Sequence, residues 1–131
     1  ELATAIALKM GLPEEQVNGI HLAAMIHDLG KIHIPAEILS KPSKLTDIET
    51  MLMKTHPQAG YDILKNVKFP WPIADIILQH HERLDGSGYP QGLKGDAILL
   101  GATRRRREDD RHTLPSLHRL SAFRVWRPKR A

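Results

Sequence analysis

The sequence predicts an all-α fold, on three observations. Apolar residues recur every three or four positions in several stretches, as in Ile73, Ile76 and Ile77, a series that His80 extends. Prolines and glycines fall where helices start and stop, at Gly11, Pro13, Gly30, Pro57 and Pro72. No segment alternates apolar and polar residues persistently enough to make a strand. At 131 residues, 41% of them apolar, the chain has material for one domain of ordinary size.

Residues 1–10 carry Leu2, Ile6 and several alanines at helical spacing and open without a cap, so they read as the end of a longer helix. Gly11 stops it. Pro13, Glu14 and Glu15 start the next helix, the acids lying in the first turn where the helix dipole favours them. Val17, Ile20, Leu22, Ala24, Met25 and Ile26 make this second helix apolar nearly all round, which predicts a central position; Gly30 is its expected C′ residue. Residues 31–45 form a connector with two prolines and a short turn near residues 37–39. Thr46 and Glu49 spell a capping box at the head of a helix bearing Ile48, Met51 and Leu52. Proline disfavours the α conformation at His56, so the following helix is expected over residues 57–65. Pro70-Trp71-Pro72 breaks the chain before the last helix, in which His80 continues the buried stripe with His81 beside it. Four glycines, Gly86, Gly88, Gly92 and Gly95, then make a loop whose backbone is able to approach a ligand closely.

Composition narrows the functions. There is no cysteine, which excludes disulfides and thiolate metal sites and agrees with a reducing compartment. No apolar run approaches the ~20 residues that span a bilayer, and no charged segment precedes the first apolar residues, so a soluble, cytoplasmic chain is expected. Charge is uneven. Residues 1–102 hold nine bases and twelve acids, a net −3, whereas residues 103–131 hold ten bases and three acids, a net +7. Basicity therefore belongs to an arginine-rich tail, expected to be disordered or loosely helical. Phe123 and Trp126 among its arginines would suit a nucleic-acid-binding arm, but no recognisable module surrounds them and that role is not expected.

Five side chains carry the chemistry: His27-Asp28, His56 and the doublet His80-His81. Any one histidine alone would more often be a core or surface residue, and His21 and His33 are read that way. Together the five offer four imidazoles and a carboxylate, a donor set that suits Fe, Mn or Zn better than Mg or Ca. Glu82 and Arg83 after the doublet fit equally well a role orienting ligands or phosphate and a solvated helix end.

These residues, with Asp85-Gly86-Ser87-Gly88-Tyr89-Pro90 after them, closely resemble the HD-GYP family, a branch of the HD superfamily of metal-dependent phosphohydrolases. Supporting matches run through Leu29-Gly30-Lys31-Ile32, Ile34-Pro35, Lys54-Thr55-His56-Pro57, Gly60 and Gly92-Leu93-Lys94-Gly95. The resemblance covers about residues 1–102. It implies an HD-domain helical bundle that hydrolyses cyclic di-GMP to pGpG or GMP with two or three divalent metal ions, often iron or manganese. Receiver, sensor or GGDEF-type signalling domains are the implied partners. By the same resemblance Asp28 would bridge the metals, with His27, His56, His80 and His81 as ligands. Lys31 would hold a phosphate oxygen and share the catalytic work with Asp28; Arg83, Asp85, Gly86, Gly88, Tyr89 and Pro90 would bind substrate.

The pattern departs from the family in two places. The family has a further ligand histidine on a helix before the His27 helix, and this sequence starts after that position. The family also continues past the loop into a helix with an Ala-Val-Ala-Asp motif whose aspartate binds metal. Here the chain reads Thr103, four arginines, Glu108, Asp109 and Asp110, and the ligand role is carried onto neither aspartate. The expectation is therefore an incomplete bundle over residues 1–102, joined at residues 103–131 to a shifted reading frame or unrelated sequence. Such a chain would hold fewer ions, at most one, with impaired activity. The alternative is a catalytically inactive module that binds a nucleotide or a protein through the loop.

Overall fold

A computed structural model describes residues 2–102. Residues 103–131 lie outside the described residues, and with them the expectations placed on the arginine run, on Asp109 and Asp110, and on Phe123 and Trp126.

The described residues fold as helices joined by loops, with no strand among them; an isolated antiparallel bridge pairs Asp85 with Lys94. In chain order they are α1 (Leu2–Lys9), α2 (Glu14–Ile26), a 3-10 turn Leu29–His33, the short α3 (Ala36–Leu39), α4 (Asp47–Met53), α5 (His56–Leu64) and α6 (Ile73–Gln79). Two 3-10 turns, Gly95–Ala97 and Leu100–Ala102, close the described chain. No helix among the described residues is long and apolar enough to cross a membrane.

The centre of the bundle is α6, not α2. Ile73, Ile76, Ile77 and Leu78 of α6 are all buried, and the main core joins the three isoleucines to Ala23, Leu64, Ile98 and Ala102. Each isoleucine enclosed in this way contributes about 1.5–3 kcal/mol. α6 packs against α2 and α5, and the last turn closes over it. α2 meets α1 and α6 along one side, burying Val17, Ile20 and Ala23, and leaves Met25 70% exposed. An apolar circumference was thus a poor guide to position: α1, α6 and the turn Leu100–Ala102 pack on this helix and still leave part of it open. A smaller cluster of Ala7, Leu12, Val17 and Ile20 fastens α1 to α2.

One boundary and one helix's burial differ from expectation. His56 itself opens α5, with Pro57 following it. The first amides of a helix have no partner within it, so proline there forfeits nothing. α4 buries no residue at all, and its Ile48 and Met51 face solvent. It is held at its head instead by the capping box read from the sequence: Glu49 N donates to Thr46 Oγ1 at 3.3 Å and Thr46 N donates to Glu49 Oε2 at 2.7 Å. Lys41 Nζ adds a 2.6 Å bond to the same carboxylate. The Lys41 ammonium and the Thr46 amide together hold Glu49 down at about 2.

Candidate metal centre

Three helix ends meet at one place. His27 follows the last residue of α2, His80 follows the last residue of α6, and His56 is the first residue of α5. Each ring is fixed by the same device. Nδ1 donates to the carbonyl three residues earlier: His27 to Ala24 at 2.7 Å, His56 to Met53 at 2.7 Å, His80 to Ile77 at 2.6 Å. A carbonyl oxygen only accepts, so the proton sits on Nδ1 and Nε2 is left with a lone pair. Hydrogen bonding of the remote nitrogen to a carbonyl is what orients and polarises a metal-binding imidazole.

The lone pairs converge. His56 Nε2 and His80 Nε2 stand 3.2 Å apart. Two such nitrogens repel one another unless a cation lies between them. Nitrogens each about 2.1 Å from one ion, at tetrahedral or octahedral angles, are separated by about 3.0–3.4 Å, so the spacing suits two ligands of a single ion. His81 completes a group of three, with donor atoms of His56, His80 and His81 all within 4.8 Å of one another. Asp28 divides its carboxylate. Oδ1 lies 3.6 Å from His56 Nε2 and 4.0 Å from His80 Nε2, while Oδ2 lies 3.5 Å from His27 Nε2 and accepts from Lys31 Nζ at 2.8 Å.

Electrostatics prepare these groups for a cation. Burial, reinforced by the neighbouring His56 and His27 and only partly offset by the Ile77 carbonyl, pushes His80 down to about 4, so its ring is neutral at neutral pH. Partial burial alone would raise the Asp28 carboxyl. The Lys31 ammonium and the His27 and His56 imidazoles outweigh it and hold Asp28 below the usual carboxylate range.

Glycine makes the meeting of these elements possible. Gly30 is not a helix-ending C′ residue, because α2 already stops at Ile26 and Gly30 sits inside the following 3-10 turn. It is buried, and a Cβ there would overlap the His56 carbonyl oxygen and stand 2.6 Å from the Gly60 nitrogen. This contact brings the turn after Asp28 directly against the first turn of α5. Hence Gly30 serves to bring Asp28 within reach of His56.

The loop after the doublet lies on the same site. The Tyr89 ring stacks on His81 with centroids 4.7 Å apart and 17° between planes, and Lys54 Nζ sits 5.4 Å over the Tyr89 ring. The Tyr89–Pro90 peptide bond is cis. Glu82 is not a solvated helix end: it is 1% exposed and its carboxylate accepts backbone N–H groups from Gln91, Gly92 and Leu93. Nothing local in the sequence distinguishes it from a surface glutamate. Arg83, Asp85 and Pro90 are exposed, and Asp85 Oδ1 accepts from Ser87 N and Ser87 Oγ at 2.9 and 2.6 Å. Outside the site, His21 and His33 are exposed as read, His21 hydrogen-bonded to Thr4 at 3.0 Å.

The family model described as HD domain matches residues 1–103. The chain belongs to the HD-domain family. The HD-GYP resemblance read from His27-Asp28 through Pro90 stands with it. Among curated relatives, the chain is 50% identical over 103 residues to the cyclic di-GMP phosphodiesterase response regulator RpfG of Xanthomonas campestris, covering 77% of this chain and 27% of that protein. It is 50% identical over 101 residues to a cyclic di-GMP phosphodiesterase of Thermotoga maritima, covering 76% and 27%. A 3'3'-cGAMP-specific phosphodiesterase of Vibrio cholerae is 41% identical over 100 residues, covering 76% and 23%. This HD domain thus spans about a quarter of the length of the relatives it matches.

Proposed function

We propose that this HD domain is a metal-dependent phosphodiesterase acting on a cyclic dinucleotide, cyclic di-GMP first, with pGpG or GMP as product. The observation that carries the reading is the 3.2 Å approach of His56 Nε2 to His80 Nε2, two lone pairs set at the spacing of ligands on one ion. The two relatives at 50% identity, both named for cyclic di-GMP, support the substrate.

His56, His80, His81 and Asp28 Oδ1 would hold one ion. His27 and Asp28 Oδ2 would reach a second, which makes Asp28 the bridge. The first position has four donors and the second two among the described residues, so one ion is expected to stay on purification. Iron or manganese suits the mixed imidazole and carboxylate set; family sites hold two or three such ions. Bound there, the ions would supply positive charge that activates water and offsets the phosphoryl oxygens. The chain's own groups do the rest. Asp28 stays ionised and His80 neutral, the forms a metal requires. Lys31, already at the Asp28 carboxylate, is placed to exchange that partner for a phosphate oxygen as a point charge. Tyr89 walls the site beside His81. Arg83, Asp85, Gly86, Gly88 and Pro90 frame the substrate mouth.

The catalytic unit is assigned to residues 1–102 and the arginine-rich residues 103–131 to a separate segment. A cyclic dinucleotide messenger as substrate would fit work in the cytoplasm, and similarity to a response regulator supports coupling to a receiver or other signalling domain. Incubation of the purified chain with cyclic di-GMP and Mn(II) or Fe(II), with products resolved by chromatography, tests the reading. Metal-dependent pGpG or GMP that disappears in His80→Ala is expected. Tight nucleotide binding without product would favour the inactive module, and neither binding nor product would overturn the assignment.

A further inference from the structure

We propose that Glu82 is a positioning residue for the metal centre, holding the ring of His81 in place through the glycine-rich loop. The inference rests on the metal-site reading above. Glu82 is 1% exposed, and its oxygens face the loop: Oε1 accepts from Gln91 N at 2.7 Å and Gly92 N at 3.1 Å, and Oε2 from Leu93 N at 2.9 Å. A carboxylate is buried only where it is paired or hydrogen-bonded, and bonds from three amides to a charged acceptor are strong ones. They bind the far limb of the loop to the residue immediately after the histidine doublet.

Between those anchors the loop is pressed onto the helix end. Gly88 packs so closely on Glu82 and Arg83 that a Cβ would overlap the Glu82 Cα and the Arg83 nitrogen. This seats Tyr89, whose N–H donates to the His81 carbonyl at 3.3 Å and whose ring stacks on the His81 ring. His27, His56 and His80 take their orientation from carbonyls three residues earlier. The His81 ring lies against those of His56 and His80 and is stacked in addition by Tyr89, from the loop that Glu82 ties down. The chain of influence runs from the Glu82 carboxylate to the amides of residues 91–93, to Gly88 and Tyr89, and so to His81.

Co(II) titration of the full chain, read by the d–d absorption bands, tests this without reference to turnover. Glu82→Gln keeps the size of the side chain but turns a donor toward one of the three amides; Glu82→Ala removes all three bonds. Loss of an outer partner of a metal ligand costs about 10- to 100-fold in metal affinity, and that loss is expected in Glu82→Ala, smaller in Glu82→Gln, with altered bands in both. Tyr89→Leu, which keeps the Glu82 bonds but removes the stack, is expected to alter the bands in the same direction and decides the matter if Glu82→Ala does not fold. Unchanged spectra and affinities, with only a lower melting temperature, would overturn the inference and leave the metal site standing. Absence of Co(II) binding by the unaltered chain would overturn the metal site and this inference together.

Discussion

The two oxygens of Asp28 look out on different surroundings. On the Oδ1 side stand His56, with 1% of its side chain exposed, and His80, with 12%. On the Oδ2 side stand His27 at 45% and Lys31 at 38%. The inner donors are locked by packing as well as by their carbonyl bonds, so little ordering entropy remains to be lost when they bind. The outer donors are partly exposed, and Asp28 Oδ2 is shared with the Lys31 ammonium. One side of the carboxylate is therefore rigid and enclosed and the other open, a division that fits the proposed metal centre.

The contrast is open to attack, most severely at the glycine that joins the sides. Gly30→Ala drives a methyl into the His56 carbonyl, and overpacking of this kind costs about 1–3 kcal/mol. It is expected to lower the urea midpoint and to abolish retention of Mn(II), as measured by elemental analysis. A wild-type metal content would show that Asp28 and His56 need not be so close. Acid attacks the inner side through His80. His80 titrates near 4 in the fold against 6.5 ordinarily, so the unfolded chain takes up the proton first. Stability from this ring is whole above 6.5 and lost as pH falls toward 4, roughly 2 kcal/mol after allowing for solvent screening. Denaturant melts of the metal-free protein across that range, compared with His80→Ala, measure it; equal slopes would remove the ring from the account.

Lys31→Met touches only the outer side. Its 2.8 Å pair with Asp28 is partly exposed, so stability is expected to change by under about 1 kcal/mol. KM for the cyclic dinucleotide is expected to rise about tenfold, the worth of a charged hydrogen bond, with metal content unaltered. The smallest effect belongs to Thr46→Ala at the head of α4. Loss of the cap costs about 1 kcal/mol and should leave Co(II) spectra untouched. A changed spectrum would show that α4 acts on His56 across Lys54 and Thr55.

Much of this was legible residue by residue. The capping box of Thr46 and Glu49 forms as spelled, because its bonds span only one helical turn. His27, Asp28, His56, His80 and His81 were named from their types and company, and the structure gathers all five. Other assignments failed where the deciding neighbour lies far along the chain. Gly30 passed for a helix stop because glycine commonly is one, yet its neighbours are His56 and Gly60. Glu82 passed for a possible solvated helix end because the loop that buries it returns only at residues 91–93. Ile48 and Met51 have core composition, but no other element of the described chain covers them.

The capping box at Thr46 and the choice of donor residues came from the order of residues alone, since each depends on interactions within a turn or on the chemistry of a single side chain. Which helix is enclosed and how Asp28 divides its oxygens were decided only when three helix ends closed on one another. Burial and metal spacing are properties of groups brought together from distant parts of the chain, and no local pattern encodes the distance between them.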